Sequence, residues 1–468
     1  MKNREKNFYK NTIIIFASKF CTQFLSFFLL PLFTSLLSTK QYGYFDLFST
    51  YSWLLAIFLT LQLENGMFRY MIDKRNNTEG LKEIITSGLL MIWIQFLLFT
   101  VLYFFFVKII HVNNVGYIFA MTVSTSLLNL TLQIARGFGK NVDYSMASII
   151  AGVSNVLLCI LFIKILSLKL LGIVLANVLS NLCAAIYLIL KMKLFSYLDL
   201  NFISKKYIKK ILAYSLPLVP NSISSWIMSI SDKAMISMFL GVSFNGIYSI
   251  STKFSILLSH IFTVFNISWT ESASLSNNDK DRSYYFSKMV NSIFLICSFI
   301  CLIMLSSLPI VFNLLIKGNY SSAYNYIPIL ILSSFFELFS VLIGGIFIAL
   351  KLSKEIATTT MVGGVINIVV NFIFLRKYGL VVACVSTLLS YIYISIARYF
   401  KISKHIKVEL DKTKYLIIII LYILSTGIYF KKSIYLSFIN IIIVFGIFFK
   451  MNATYIKKIM YSFFIKKN

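Results

Sequence analysis

The sequence predicts an all-α, polytopic membrane protein of about fourteen transmembrane helices in two six-helix lobes plus a C-terminal pair, with both termini cytoplasmic. Hydrophobic residues make up 59% of the 468 residues, and the mean hydropathy is +0.84. A soluble domain is only about 45–50% apolar. Charged residues are 13% of the chain, roughly half of the usual share. So much apolar surface does not fit inside a soluble core and requires a lipid bilayer as its solvent.

The apolar runs have the length of membrane-spanning helices. Crossing the hydrocarbon takes about 20 residues of helix, and these runs lack the polar–apolar alternation of barrel strands. Spans are predicted at residues 12–37, 42–63, 84–107, 117–135, 144–163, 170–190, 213–240, 246–268, 289–313, 327–349, 356–375, 379–397, 415–430 and 434–449.

The distribution of Lys and Arg supports this count and its orientation. With the amino terminus inside, the inner segments hold 32 of the 44 Lys and Arg residues, the outer segments hold 9, and 3 lie within spans. This asymmetry is what the positive-inside rule requires. A missed or additional helix would reverse the alternation downstream, so the count and the orientation support each other.

Basic segments divide the chain into predicted domains. Six lysines cluster near the middle of the first twelve spans, and a second cluster follows the twelfth span. This second segment is either a basic helix on the membrane surface or a solvated loop. The predicted domains are an N-terminal six-helix lobe (1–192), a cytoplasmic basic linker (193–210), a C-terminal six-helix lobe (211–400), a cytoplasmic basic segment (401–414), an additional helix pair (415–450) and a cytoplasmic tail (451–468).

Composition and loop length exclude several classes of function. The net charge of +28 lies in clusters between apolar runs, which favours contact with anionic membrane lipids over nucleic acid. No loop is longer than about 25 residues and no GxxxxGK[ST] pattern occurs, so a nucleotide-binding domain is excluded. The three His and six Cys residues are scattered, which predicts neither a metal site nor a cofactor. We expect a protein that is not an enzyme.

The first hairpin of each predicted lobe carries a similar stretch. SLLSTKQYGYFDLFSTY (Ser35 to Tyr51) resembles MFLGVSFNGIYSISTKF (Met238 to Phe254), with Gly43 and Gly246 at the same position. Transporters often consist of two such repeats with the substrate site between them. The alternative is chance, because short turns between helices favour glycine in any case.

Ionisable residues inside spans are costly and mark functional sites. The cations are Lys19, Lys233 and Lys253, and the carboxylates are Asp46, Asp232 and Glu337. Lysines in a wet lumen would hold an anion such as a diphosphate, and a desolvated carboxylate would exchange a coupling ion.

Some of the candidate residues also have a simpler interpretation, whereas Lys19, Lys253 and Glu337 are the hardest to explain in that way. Lys233 could reach the interface by snorkelling, and Asp46 could lie in the interface. Asn221, a candidate for binding sugar hydroxyls, could instead form hydrogen bonds between helices.

The stretch AYSLPLVPNSISSWIMSISDKAMISMFLGVSFNGIYSISTKF, Ala213 to Phe254, carries a family resemblance. It resembles the seventh and eighth helices of polysaccharide repeat-unit flippases, the O-antigen and capsule transporters of the multidrug/oligosaccharidyl-lipid/polysaccharide exporter superfamily. Two further stretches, LENGMFRY and ARGFGKNVDYS, are also similar. The matching residues are Pro217, Pro220, Asn221, Trp226, Asp232, Lys233, Leu240, Gly241, Gly246, Ile247, Tyr248 and Lys253.

The resemblance implies a flippase with two lobes around a cationic central cavity, working by ion-coupled alternating access. The implied cargo is an oligosaccharide on undecaprenyl diphosphate, moved from the inner to the outer leaflet of the cell (inner, cytoplasmic) membrane. Lys19, Lys253 and Arg69 inherit the cationic role. Membrane lipids, a polysaccharide polymerase and the chain-length machinery are the implied partners. The alternatives are a drug or small-cation exporter of the same superfamily and a membrane glycosyltransferase or polymerase.

Overall fold

The computed structural model describes residues 27, 29–110, 114–276, 279–350 and 352–465, and every regular element in these ranges is helical, as predicted. Short 3-10 or π segments adjoin several of the helices. The α-helices are α1 (Leu30–Leu36), α2 (Thr39–Thr60), α3 (Leu63–Asp73), α4 (Thr78–Ile110), α5 (Val115–Gly137), α6 (Asn141–Cys159), α7 (Lys169–Met192), α8 (Lys205–Ser215), α9 (Leu218–Phe239), α10 (Val242–Leu275), α11 (Arg282–Leu315), α12 (Ile327–Ala349), α13 (Ser353–Tyr378), α14 (Val381–Ile402), α15 (Lys412–Phe430) and α16 (Ile434–Ile465).

Ten helices in the described ranges, α4 to α7 and α11 to α16, are long and apolar enough to cross a membrane. Together α2 and α3 form an eleventh candidate, bent by 57°. Large apolar side chains stay exposed on these helices, for example Val101 at 70% and Met361 at 70%, and lipid is the solvent that covers such surfaces. The chain is therefore a multi-pass membrane protein.

The total of fourteen spans and the side of each terminus stay predictions. Most of the first predicted span, 12–37, lies outside the described residues. The predicted spans 213–240 and 246–268 correspond to α9 and α10, which are continuous helices of 22 and 34 residues. Neither helix is among the ten candidate membrane-spanning helices of the described ranges. Some of their side chains lie outside the described part of the chain.

The chain folds into two compact units, 1–246 and 247–468. The boundary therefore falls in the first turn of α10, whereas the sequence separates the lobes at 193–210. The division at 193–210 separates two predicted six-helix lobes, and it stays a prediction.

In unit 1, a large apolar cluster joins α3 to α4, α5, α7 and α8. Met67 and Met71 of α3 are fully buried among Ile84, Ile134 and Ile211. The amphipathic helix α8 begins inside the predicted linker, and its apolar face completes this cluster. The predicted linker consequently contributes buried residues such as Leu194 and Tyr207 to unit 1.

Two glycines allow the first turn of α10 to pack directly on the first turn of α2. A Cβ atom on Gly43 would lie 2.1 Å from the carbonyl oxygen of Val242, and one on Gly246 would lie 2.1 Å from that of Thr39. Thr39 precedes Gly43 by four residues, and Val242 precedes Gly246 by four. The contact is therefore reciprocal and follows the register of the similar stretches in the sequence.

In unit 2, the basic segment between α14 and α15 is an extended strap bonded along α11. The Ser283 hydroxyl donates to the Lys407 carbonyl, and Asn291 donates to the Glu409 carbonyl at 2.8 Å. The Glu409 amide donates in turn to the Ser287 hydroxyl at 2.9 Å. Four residues of helix rise about 6 Å and two residues of extended chain rise about 6.6 Å. Every second residue of the strap can therefore bond to every fourth residue of α11. The segment is thus a loop held along α11, with the charged side chains of Lys407 and Glu409 81% and 70% exposed.

The C-terminal helix pair is fastened to the rest of unit 2 at the other end of α15. Tyr324 and Tyr429 stack with ring centroids 4.0 Å apart, and each hydroxyl donates to the carbonyl of the other residue at 2.7–2.8 Å. Where the strap meets α15, a hydrogen bond from Lys414 holds the pKa of Asp411 below its usual range. Helix α15 is thus held at both of its ends.

Candidate functional site

The start of α2 fixes the position of a carboxylate two turns further on. Ser38 caps the helix by accepting from the Gln41 amide at 3.2 Å, and the Gln41 side chain accepts from the Ser38 amide at 3.0 Å. This reciprocal capping box satisfies two backbone donors that would otherwise lack a partner. Asp46 follows, and only 8% of it is exposed.

Asp46 forms an ion pair with Lys233 of α9. The Lys233 ammonium donates to Oδ1 of Asp46 at 2.9 Å, and the side chains are 18% and 11% exposed. Helix α9 runs antiparallel to α2. Trp226, two turns before Lys233, donates its indole N–H to the carbonyl of Thr50, one turn after Asp46, at 3.0 Å. The pair therefore explains how both charges are tolerated inside apolar surroundings: each neutralises the other.

Asn245 completes this cluster from the start of α10. Its Nδ2 donates to the Gly43 carbonyl at 3.2 Å and to Oδ2 of Asp46 at 3.3 Å. The residue is fully buried, and its Oδ1 has no hydrogen-bond partner among the described residues. The cluster Asp46–Lys233–Asn245 thus links α2, α9 and the first turn of α10 through one carboxylate.

Unit 2 contains another candidate carboxylate, Glu337, and a candidate cation, Lys253. Glu337 of α12 accepts a hydrogen bond from the Ser259 hydroxyl of α10 at 2.8 Å. Lys253, on the same helix as Ser259, is partly buried. Lys253 forms no ion pair within the described ranges. A partly buried ammonium without a counter-ion is available to bind an anion.

The other predicted site residues are more dispersed. Lys19 and the side chain of Asn221 lie outside the described residues. Arg69 is 47% exposed on α3 and pairs with Asp73 at 2.8 Å, one helical turn away. Asp232 is partly buried beside Lys233 on α9. In unit 1, the structure thus brings together Asp46 and Lys233, which the sequence assigned to different roles.

Sequence reasoning missed Asn245 and Arg398. The pattern N-G between two helices suggests only a turn at Asn245. Arg398 falls at the edge of the predicted segment after the twelfth span, but it lies inside α14 and is 6% exposed. The only indication in the sequence was its position one turn before the end of an apolar run. An arginine at such a position lies either at the membrane interface or buried with hydrogen-bond partners.

Arg398 connects three helices of unit 2. Nη1 donates to the Ser340 carbonyl at 2.7 Å, Nη2 to the Thr360 hydroxyl at 2.7 Å and Nε to the Thr359 hydroxyl at 3.1 Å. No ion pair to Arg398 occurs in the part of the chain that the structure describes. The planar guanidinium therefore serves as a fork between α12, α13 and α14.

We expect Arg398→Lys to destabilise the protein by about 2–3 kcal/mol, because an ammonium does not reproduce the fork and each lost bond to a charged donor is worth about 1.5–3 kcal/mol. Thermal unfolding in detergent measures the change. The control Arg376→Lys lies at an exposed position of α13 and should leave the midpoint nearly unchanged. Equal midpoints for the two variants would contradict the assigned role of Arg398.

Residues 8–270 match the family model "Polysaccharide biosynthesis protein". No curated protein sequence matches this chain significantly.

Several solved transporters have a similar fold. The lipid II flippase MurJ, in an inward closed conformation, has a TM-score of 0.68 at 16% identity, over 96% of this chain and 100% of that one. An inward-facing multidrug resistance MATE family transporter of the MOP superfamily has a TM-score of 0.64 at 15% identity, over 82% and 95%. A MOP superfamily transporter from Pyrococcus furiosus scores 0.52 at 15% identity, over 85% and 96%. At these identities the similarity is one of fold.

Proposed function

Because this chain belongs to the polysaccharide biosynthesis protein family, we propose that it is a flippase for undecaprenyl-diphosphate-linked oligosaccharide repeat units. It moves them from the inner to the outer leaflet of the cell membrane for assembly of a surface polysaccharide, O-antigen or capsule. The family match over residues 8–270 carries this proposal. The fold shared with the lipid II flippase MurJ supports it.

The negative charge of the proposed cargo is complementary to the positive charges of the candidate site residues. A diphosphate must cross a medium of low dielectric constant, where an unneutralised charge costs many kcal/mol. Lys253 is a partly buried ammonium without an ion-pair partner among the described residues. We assign it the diphosphate, together with Lys19 and Arg69, and we assign Asn221 a sugar hydroxyl. Lys233 would join them only when its pair with Asp46 opens.

Ion coupling provides the direction of transport in this proposal. Glu337, Asp46 and Asp232 are the carboxylates assigned to it, since a carboxylate in apolar surroundings gains or loses a cation together with a change of conformation. Alternating exposure of the site to the two sides of the membrane then carries the glycan across. A polymerase and the chain-length machinery would use the delivered units, which makes them the expected partners.

Deleting the chain in its own host tests the transport step. We expect lipid-linked repeat units to accumulate on the inner leaflet, measured as their protection from a membrane-impermeant glycosidase in right-side-out vesicles and their accessibility in inverted vesicles. Complementation with the parent chain should restore the outer-leaflet pool. An unchanged distribution of lipid-linked units in the deletion strain would overturn the proposal and favour an exporter of small molecules.

Lys253→Gln should lower the rate of glycan flipping about 10- to 100-fold, because a charge-assisted hydrogen bond contributes about 1.5–3 kcal/mol and 1.4 kcal/mol is a factor of ten. The measurement is flipping of a labelled lipid-linked oligosaccharide in proteoliposomes that contain equal amounts of folded protein. Lys253→Arg should retain most of the activity, and the exposed control Lys280→Gln should retain all of it. A fully active Lys253→Gln variant would remove this residue from the site.

A further inference from the structure

Unit 2 contains an apolar groove between α12, α14 and α15 that ends at the strap. Its cavity volume is about 460 Å³, and its walls include Phe335 and Phe339 of α12, Phe400 of α14, Ile419 of α15 and Leu410 of the strap. The rim is open, because Phe400 and Ile419 are 63% and 55% exposed. Water inside a protein needs several polar partners, so walls of this kind favour an apolar occupant.

Four of the residues that line this groove carry hydroxyl groups. Three of them donate to backbone carbonyls: Ser395 to that of Phe336 at 2.7 Å, Tyr399 to that of Val408 at 3.4 Å, and Tyr422 to that of Pro328 at 2.6 Å. The fourth hydroxyl, on Tyr415 in the first turn of α15, is shielded from solvent and has no hydrogen-bond partner in the described part of the chain. Stacking on Phe294 holds the Tyr415 ring, with centroids 4.5 Å apart. An occupant with an acceptor near the strap would satisfy this hydroxyl.

A polar cavity of about 350 Å³ adjoins the groove. Leu410 lines both, so the two are neighbours along the strap. Polar and charged side chains of α11, the strap and α15 line the second cavity, among them Ser287, Lys288, Asn291, Glu409, Asp411 and Lys414. An apolar groove that continues into a polar cavity fits an amphiphile, with its hydrocarbon chain in the groove and its head group in the cavity.

The charges around the polar cavity favour an anionic head group. Residues 398–414 contain six Lys or Arg residues and two carboxylates. Both carboxylates are paired, Glu409 with Lys407 at 2.7 Å and Asp411 with Lys414 at 2.9 Å. Lys288, in the wall of the cavity, forms no ion pair within the described ranges. An exposed ammonium of this kind is suited to a lipid phosphate.

The predicted side of the strap agrees with such an occupant. The distribution of Lys and Arg predicts that the strap is cytoplasmic, and the cytoplasmic leaflet carries the anionic phospholipids that attract basic segments next to a span. A phospholipid also has ester carbonyls between its phosphate and its acyl chains. It can therefore offer an acceptor to Tyr415 while its phosphate lies near Lys288.

We propose that the groove and the adjoining polar cavity form a binding site for one anionic phospholipid. An acyl chain lies in the groove, an ester carbonyl accepts from the Tyr415 hydroxyl, and the phosphate contacts Lys288. A lipid held in this way joins α12, α14 and α15 and stabilises the folded protein by mass action. The binding does not depend on the proposed flippase function.

The test titrates the delipidated full-length protein in detergent with dioleoyl phosphatidylglycerol or dioleoyl phosphatidylcholine, which share their chains and differ in their head groups. Thermal unfolding measures the stabilisation, and native mass spectrometry counts the bound lipids. The parent should bind one phosphatidylglycerol tightly, and its midpoint should rise more than with phosphatidylcholine. Equal rises with the two lipids would overturn the anionic site, and so would a parent that binds neither.

Ile419→Trp fills the groove and should abolish the rise of the midpoint with phosphatidylglycerol. Ile420→Trp is the matched control, because Ile420 is the next residue of α15, is 47% exposed and does not line the groove. The same response in both variants would show that the lipid does not occupy the groove. Should Ile419→Trp fail to fold, the two polar variants below decide.

Tyr415→Phe should lower the affinity for phosphatidylglycerol about 2- to 10-fold, the value of one hydrogen bond. Without lipid, its midpoint should stay unchanged or rise, because the variant removes a hydroxyl that has no partner. Lys288→Gln should lower the affinity about fivefold, whereas Lys280→Gln, exposed just before α11, should keep it. Parent affinity in both Tyr415→Phe and Lys288→Gln would overturn the assigned contacts.

Undecaprenyl phosphate, added as a competitor, tests the other apolar occupant. It should not displace the tightly bound phosphatidylglycerol in native mass spectrometry. Displacement that Ile419→Trp abolishes would assign the groove to the carrier lipid of the cargo and overturn the phospholipid site. Phospholipid binding without glycan flipping in proteoliposomes would refute the flippase and leave this site standing.

Discussion

Replacing Gly43 with alanine should destabilise the protein by about 3 kcal/mol, the upper end of the usual cost of overpacking. The added Cβ would lie 2.1 Å from the Val242 carbonyl oxygen and 3.0 Å from the Gly246 amide nitrogen. Both are backbone atoms, so no side chain can rotate to make room. The first turns of α2 and α10 must separate, and the separation weakens the hydrogen bond from Asn245 to the Gly43 carbonyl.

The reciprocal variant Gly246→Ala should have a similar effect, because its Cβ would meet the Thr39 carbonyl oxygen at 2.1 Å. Thermal unfolding and the yield of monodisperse protein in detergent measure both variants. Gly427→Ala is the matched control, since no atom lies within 4 Å of its added Cβ and alanine favours the interior of a helix. A midpoint for Gly43→Ala equal to that of the control would show that the close contact does not exist.

Breaking the Asp46–Lys233 pair is the second change with a large expected effect. Asp46→Asn should cost about 3 kcal/mol, because removing one partner leaves the other charge buried and uncompensated. This loss of stability is at the low end of the usual range for a buried ion pair, because the side chains of Asp46 and Lys233 remain 11% and 18% exposed to solvent. Lys233→Met should cost a similar amount for the same reason.

The double variant Asp46→Asn/Lys233→Met separates a specific pair from two independent losses. If the charges neutralise each other, the double variant should be at least about 2 kcal/mol more stable than the sum of the two single effects. The measurement is a double-mutant cycle of thermal stability, accompanied by flipping in proteoliposomes. Additive single effects would mean that the pair contributes no coupling.

Several sequence predictions hold because they depend on local composition. The span predicted at 327–349 coincides with α12, and the weak terminal runs at 415–430 and 434–449 are helices. Apolar runs in lipid satisfy their backbone groups within a helix, so the helix follows from the run itself. The resemblance to a polysaccharide flippase family likewise rests on short stretches of residues, and the match to the polysaccharide biosynthesis family model over residues 8–270 confirms it.

Other features depend on residues that are distant in the sequence. Asp46 and Lys233 are 187 positions apart, and the sequence offers no rule for pairing a lysine with a carboxylate on another span. The 57° bend between α2 and α3 lies at Leu61 and Gln62, which have positive φ angles. Neither residue is glycine or proline, so nothing in the sequence pattern marked the bend. From the sequence alone, Arg398 is expected at the membrane interface. The structure instead buries it, bonded to two hydroxyl groups of α13 and to the Ser340 carbonyl.

The sequence by itself determined that this protein is helical, that it crosses the membrane many times and which family it resembles. The bilayer imposes these properties on each segment separately, through its thickness and its lack of hydrogen-bonding partners. The tertiary structure decided which charges neutralise each other and where two helices touch through glycine. Those properties arise only when distant segments are packed, because burial and partnership are relations between residues and not attributes of any one of them.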